Sequence, residues 1–196
     1  MSPDARNDAS TDAPPTAMSN EQLRETVEQI LNAGVLPPIV QVGHPVLRHH
    51  AMPFDGQLDD AELGRLIDLM RRVMHKAPGV GLAAPQLGIT LQIAVLEDQF
   101  DVDPEVAAAR GREPLPFFAM LNPSYVPLGQ ATKAFYEGCL SLNGLQAAVV
   151  RPESVRLDFT AADGTATNSI PAARAGAVTA CSSGGTAQSP RGQKWR

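Results

Sequence analysis

The feature that most constrains the fold is a helical pattern that stops at a glycine-rich corner. Asp59, with Glu62 three residues later, forms the capping-box pattern of a helix N-terminus, and Pro78-Gly79 prevents the helix from continuing. Between these ends the apolar residues form a wide stripe. The stripe consists of Leu63, Leu66, Ile67, Met70, Val73 and Met74. The pattern therefore predicts a central helix packed into the core.

The rest of the chain predicts one more helix and several short strands. A second amphipathic helix begins at Ser19 and ends before Gly34. The strand candidates are residues 39–42, 91–96, 117–121, 132–136, 145–150 and 154–160, and residues 104–109 predict one helical turn. We therefore expect an α+β fold in which short antiparallel sheets surround the central helix.

Composition divides the chain into three parts. Residues 1–18 are polar and are predicted to be a disordered N-terminal tail. Residues 19–164 carry the periodic patterns and are predicted to be one domain. Residues 165–196 are dominated by Ala, Gly, Ser and Thr, and we interpret them as an aberrant low-complexity C-terminal tail, arising from out-of-frame or replaced coding sequence.

Charge and hydropathy exclude several classes of function. The net charge is −5 and no cluster of Lys and Arg occurs, which argues against a nucleic-acid surface. No run approaches the roughly 20 apolar residues of a membrane span, and the N-terminus lacks the apolar core of a secretion signal. With only Cys139 and Cys181 available, a disulfide framework is not expected. We predict a cytoplasmic protein.

Two motifs carry the candidate chemistry. Gly79-Val80-Gly81 permits positive φ and a close approach of a ligand, and Gln86 can both donate and accept a hydrogen bond. By itself this corner could equally be a tight turn. Cys139 could be a buried structural thiol, a nucleophile or a metal ligand. The Leu140 N–H beside it could stabilise an oxyanion.

The two motifs together resemble those of the peptide deformylases. They read Gly79-Val80-Gly81-Leu82-Ala83-Ala84-Pro85-Gln86 and Glu137-Gly138-Cys139-Leu140-Ser141, and the stretches at residues 43–48, 121–123 and 151–152 fit the same family. The resemblance covers residues 39–164. It implies a metal-dependent hydrolase that removes the formyl group from the N-terminal methionine of newly made polypeptides, with ribosome-associated nascent chains as partners.

The resemblance also implies roles for individual residues. Cys139 would bind a divalent metal, Fe²⁺ or Zn²⁺, together with two histidines of an H-E-x-x-H motif on a C-terminal helix. Gln86 and Leu140 would be catalytic, stabilising the formyl oxyanion. The substrate-binding residues would be Gly79, Val80, Gly81, Glu137 and Gly138.

The third motif of the family is absent from this chain. The four histidines, at positions 44, 49, 50 and 75, all precede the first motif, and the last glutamate is Glu153. The expected C-terminal helix is thus missing, and we predict impaired activity. Two alternatives stay open: a non-catalytic formyl-peptide-binding protein, and a non-functional truncated product.

Overall fold

The computed structural model describes residues 18–99, 103–110 and 113–168. Its helices are α1 (Asn20–Asn32), α2 (Asp60–Lys76) and α3 (Pro104–Arg110), with short 3₁₀ helices at Pro45–Arg48 and Ala84–Leu87. Its strands are β1 (Gly81–Ala83), β2 (Ile93–Asp98), β3 (Leu115–Pro127), β4 (Thr132–Gly138), β5 (Gln146–Pro152), β6 (Val155–Thr160) and β7 (Ala166–Asn168). The predicted α+β architecture is confirmed.

Two antiparallel sheets organise the strands. The larger has the order β1-β2-β3-β6-β7, and the smaller is the two-stranded ribbon β4-β5. Antiparallel neighbours pair throughout both sheets. Within the described residues, no helix is long and apolar enough to cross a membrane.

The central helix α2 forms as its capping pattern predicts. The Asp59 side chain accepts from the Glu62 N–H, and the Glu62 side chain accepts from the Asp59 N–H. The apolar stripe of α2 is buried against α1, β1 and β2, with Leu66, Met70 and Met74 fully inaccessible. Burial of each such side chain contributes roughly 1.5–3 kcal/mol, so α2 anchors the core.

The ribbon is exposed on both faces. Tyr136 in β4 is 66% exposed and Val150 in β5 is 62% exposed, while Phe135 and Val149 are half-buried. A two-stranded sheet without a packed face is only marginally stable in isolation. The ribbon therefore depends on its contacts with the rest of the domain.

Three predictions about the strands need correction, and the predictions about the two tails fall almost entirely outside the described residues. Residues 39–42 form no strand, and β3 continues through the predicted stop at Asn122-Pro123, where Asn122 takes φ +53°. The Asn122 side chain offsets this strain by exchanging two hydrogen bonds with the Phe54 backbone.

The larger sheet also extends past residue 164, to β7. Residues 1–17 and 169–196, which hold nearly all of both predicted tails and Cys181, lie outside the described residues.

Candidate functional site

The glycine corner is shaped by close packing. A Cβ at Gly79 would lie 2.6 Å from Cδ1 of Leu140, so any larger residue there would have to displace that side chain. The Gly79 N–H donates to the Met74 carbonyl at 2.9 Å, and Gly81 pairs with Leu96 in the sheet. Neither Gly79 nor Gly81 adopts positive φ. Of the two properties that the glycines permit, positive φ is not used here, and the close approach of Leu140 is the reason for Gly79.

Gln86 ties the corner to the second motif. It lies in the 3₁₀ helix Ala84–Leu87 and is only 7% exposed. Its Oε1 accepts from the Ala83 N–H at 2.9 Å, which leaves Nε2 to point toward the second motif. Nε2 donates to Ser141 Oγ at 3.2 Å and lies 4.0 Å from Cys139 Sγ. The Gln86 amide and the Cys139 thiol are thus brought together.

A connecting strap, residues 39–42, runs between the two motifs. The Val40 N–H donates to the Gln86 carbonyl and the Val42 N–H to the Ser141 carbonyl, both at 2.8 Å. Gln41 Nε2 donates to the Leu140 carbonyl at 3.2 Å. The backbone N–H groups of Val40 and Val42 thus donate to Gln86 and Ser141 rather than to a neighbouring strand. This explains why the strand-like sequence of the strap forms no strand. Gln41 and Ser141 were not predicted as site residues. Nothing in the local sequence pattern singles out Gln41, whereas Ser141 is the last residue of the second motif.

Cys139 follows the end of β4 and is exposed. Exposure excludes the buried structural thiol among its three possible roles. Within the described residues, the Leu140 N–H donates to no backbone carbonyl. The sulfur and a free N–H donor are therefore adjacent in the same turn.

A cleft of about 1000 Å³ opens between these elements. One side, which we call the corner wall, consists of Val73 and residues 76–81. The other, which we call the ribbon wall, consists of residues 138–140 and 142–146. Leu36, Pro37, Ile39, Gln41 and Gln86 complete the lining. The cleft is mostly apolar, with Gln86 and Cys139 among its few polar groups, as in many sites that bind organic ligands.

Glu137 and Arg151 brace the ribbon beside the cleft. Arg151 Nη2 donates to Glu137 Oε2 at 2.9 Å, and Arg151 Nε lies 3.2 Å from Oε1. Both side chains are about four-fifths buried. Glu137 does not line the cleft, and its ion pair lies beside Gly138 and Cys139, the next two residues. Its role in substrate binding stays a prediction.

A second charged cluster lies behind the corner wall. Glu97, near the end of β2, is 2% exposed. Its carboxylate accepts hydrogen bonds from Arg71 and contacts His75, and both of these residues belong to α2. Hydrogen bonds from Arg71 first, and from His75, hold the pKa of Glu97 below its ordinary value of 4.5 against the opposing effect of burial. Glu97 is therefore an anion inside the protein at neutral pH.

The described histidines do not contribute to the lining of the cleft that holds Cys139. His75 Nε2 contacts Glu97 Oε2 at 2.6 Å, and His44 Nδ1 accepts from the Val46 N–H at the start of a 3₁₀ helix. No histidine lines the cleft in the described part of the chain. Nor do those residues contain any group of three His, Cys, Asp or Glu side chains that could hold a metal ion. The donors in the described ranges do not fit a complete metal site.

Comparison with known proteins gives a consistent match. The polypeptide deformylase family model matches residues 36–173. Peptide deformylase 3 of Streptomyces avermitilis is 51% identical over 144 residues, which are 74% of this chain and 64% of that protein. Peptide deformylase 1 of Streptomyces coelicolor is 53% identical over 135 residues, 69% of this chain and 62% of that protein. The chain therefore spans a little under two thirds of the length of these relatives.

Solved structures agree on the fold. A probable peptide deformylase from Synechococcus phage S-SSM7 superposes with a TM-score of 0.60 at 27% identity, covering 73% of this chain and 89% of that one. A class I type b peptide deformylase from Acinetobacter baumannii gives a TM-score of 0.67 at 23% identity, covering 80% and 97%. At that identity the second match bears on the fold alone.

Proposed function

Because the chain belongs to the polypeptide deformylase family, we propose that its cleft binds N-formylmethionyl peptides and carries part of a deformylase site. The observation that carries the proposal is the approach of the Gln86 amide to Cys139 across one cleft. The substrate class is the formylated N-terminus of new polypeptides, met at the ribosome in the cytoplasm. Neither a membrane nor a nucleic acid is expected as a partner.

Each wall contributes a different interaction to this binding. Backbone groups of Gly79, Val80 and Gly81 run along one side of the cleft, where an extended peptide could pair with them. On the other side the Leu140 N–H and Gln86 Nε2 are hydrogen-bond donors for the formyl oxygen. Each pre-aimed donor of this kind lowers a barrier by roughly 2.7–4 kcal/mol where negative charge develops on that oxygen.

Members of this family depend on a divalent metal, for which we expect Fe²⁺ or Zn²⁺. Cys139 would supply one ligand. Among the described residues it is the only His, Cys, Asp or Glu side chain lining the cleft, and residues 169–196 contain no His, Asp or Glu at all. One thiolate falls short of the three protein ligands that a catalytic zinc site usually has, and Cys181 would bring the number of thiolates only to two. We therefore propose that this chain by itself is impaired as a hydrolase.

A formyl-Met tripeptide assay with added Fe²⁺, Ni²⁺ or Zn²⁺ tests the proposed impairment. Cys139→Ser is the informative variant and Cys181→Ser the matched control, because each removes one thiol. We expect turnover near background in all three proteins. Turnover that is abolished only by Cys139→Ser would show that further donors complete the site, and would overturn the proposed impairment.

The second candidate is a binding protein that does not hydrolyse its ligand. It is favoured by the intact arrangement of Gln86, the strap and the ribbon wall beside an incomplete donor set. Calorimetry without metal, comparing formylated and unformylated Met tripeptides, tests it. Heat that requires the formyl group and is lost in Gln86→Ala supports this function. No heat for either peptide rejects it, and a broad, non-cooperative thermal melt would instead favour a non-functional product.

A further inference from the structure

Glu97 is the most buried charged side chain among the described residues and lies outside the cleft. Its carboxylate accepts from Arg71 Nη2 at 2.7 Å and from Arg71 Nε at 2.9 Å, and it contacts His75 Nε2 at 2.6 Å. Gln99 Nε2 also donates to Oε1. A carboxylate with this many partners is fixed in one orientation.

The partners of Glu97 belong to the last two turns of α2. Arg71 and His75 are four residues apart and so lie on the same face of the helix. The residues immediately after His75, at positions 76–81, form the corner wall. The Arg71 guanidinium also stacks over the Phe117 ring of β3 at 4.4 Å. Two turns of α2 are thus held against β2 and β3.

The backbone of Glu97 holds the wall a second time. Its N–H donates to the Val80 carbonyl at 3.1 Å, one residue before Gly81 pairs with Leu96 in the sheet. Glu97 therefore contacts the corner wall at both ends. Its side chain binds Arg71 and His75 at the end of α2, and its backbone N–H binds Val80 at the glycine corner.

We propose that Glu97 is a positioning residue for the cleft. Through Arg71, His75 and Val80 it holds the corner wall at a fixed distance from the ribbon wall. At that distance the Leu140 side chain packs against Gly79. Loss of the carboxylate releases the end of α2, and the corner wall then fluctuates independently of the sheet behind it. This inference concerns the shape of the cleft and does not rest on the chemistry that takes place there.

Amide hydrogen exchange of the full-length chain tests the proposal. In Glu97→Gln, amides at residues 76–81 should exchange at least about tenfold faster, since hydrogen bonds to a charged group are lost. Amides of Met120 in β3 and Leu157 in β6 should change far less. That local pattern distinguishes positioning from a general loss of stability, which speeds exchange in all protected segments by a similar factor.

Two further variants calibrate this result. Glu153→Gln removes another glutamate whose partner is a basic side chain, Lys133 at 2.7 Å, at the surface of the ribbon, and should leave residues 76–81 unchanged. Glu97→Asp keeps the negative charge and should restore part of the protection. Wild-type exchange at residues 76–81 in Glu97→Gln, or a uniform increase across β3 and β6, would overturn the proposal.

Discussion

The corner wall and the ribbon wall face the same cleft, but the hydrophobic core backs them unequally: of the ribbon-wall residues, Leu140 packs against it. Behind the corner wall lie the buried stripe of α2 and the Glu97 cluster. The ribbon wall ends a two-stranded sheet that is exposed on both faces, and it is held mainly by the strap, by Gln86 and by the Glu137–Arg151 pair. One half of this site is therefore specified by packing, and the other mainly by a few polar contacts.

The largest expected effect comes from truncating a buried side chain in the core behind the corner wall. Met74→Ala removes a fully buried side chain of α2 and should lower the free energy of unfolding by about 2–5 kcal/mol. Val150→Ala in the ribbon removes an exposed side chain and should stay within about 0.5 kcal/mol. Urea denaturation measures both. Equal losses would break the proposed contrast between the walls.

The next effect concerns the side chain that joins the walls. Gln86→Leu keeps the size of the side chain but leaves the buried Ala83 N–H without its acceptor, and should cost about 1–3 kcal/mol. The exposed Gln41→Leu is the control and should cost less than about 1 kcal/mol. If the two variants unfold at the same urea concentration, Gln86 does not join the walls in the way described.

The close contact between the walls gives a smaller effect that can be reversed. Gly79→Ala places a methyl group against Leu140 and should cost about 1 kcal/mol, because the end of a flexible side chain can move aside. Adding Leu140→Ala should then cost less in the Gly79→Ala background than in the wild type. A strictly additive double mutant would show that the two residues are not in contact.

The smallest expected effect is a pH dependence located behind the corner wall. Since the pKa of Glu97 is lowered in the folded state, its ionised form stabilises the protein above about pH 4.5, and that contribution is lost as the pH falls through the folded-state pKa. The urea midpoint should therefore drop less on acidification in Glu97→Gln than in the wild type. Asp163→Asn is a positive comparison, because the pKa of that exposed carboxyl is also lowered, by the Thr165 N–H, and its removal should likewise reduce the drop. A wild-type pH profile in Glu97→Gln contradicts the assignment.

Local sequence patterns predicted the parts of the fold that local chemistry controls. The Asp59–Glu62 capping box and the α2 stripe are readable because their interactions span three or four residues. The strap was misread as a strand because its partners, Gln86 and Ser141, are distant in sequence. A pattern of side chains does not show where backbone hydrogen bonds go.

The same division applies to the site. Gln86, Cys139 and Leu140 were predicted from motifs, and the structure brings them together. The Glu97 cluster was not predicted, because Arg71 and His75 on a helix look like an ordinary solvated face until β2 is packed against them. Long-range pairing of charges is not encoded in any short pattern.

We propose that this chain provides the amide-and-thiol part of a deformylase cleft without a complete set of metal ligands. Metal content per chain tests it most directly, measured after incubation with Zn²⁺ and desalting, with Cys139→Ser alongside. We expect far less than one metal per chain, because the affinity for a metal depends on the number and geometry of its ligands. One tightly held metal per chain, lost in Cys139→Ser, would contradict it.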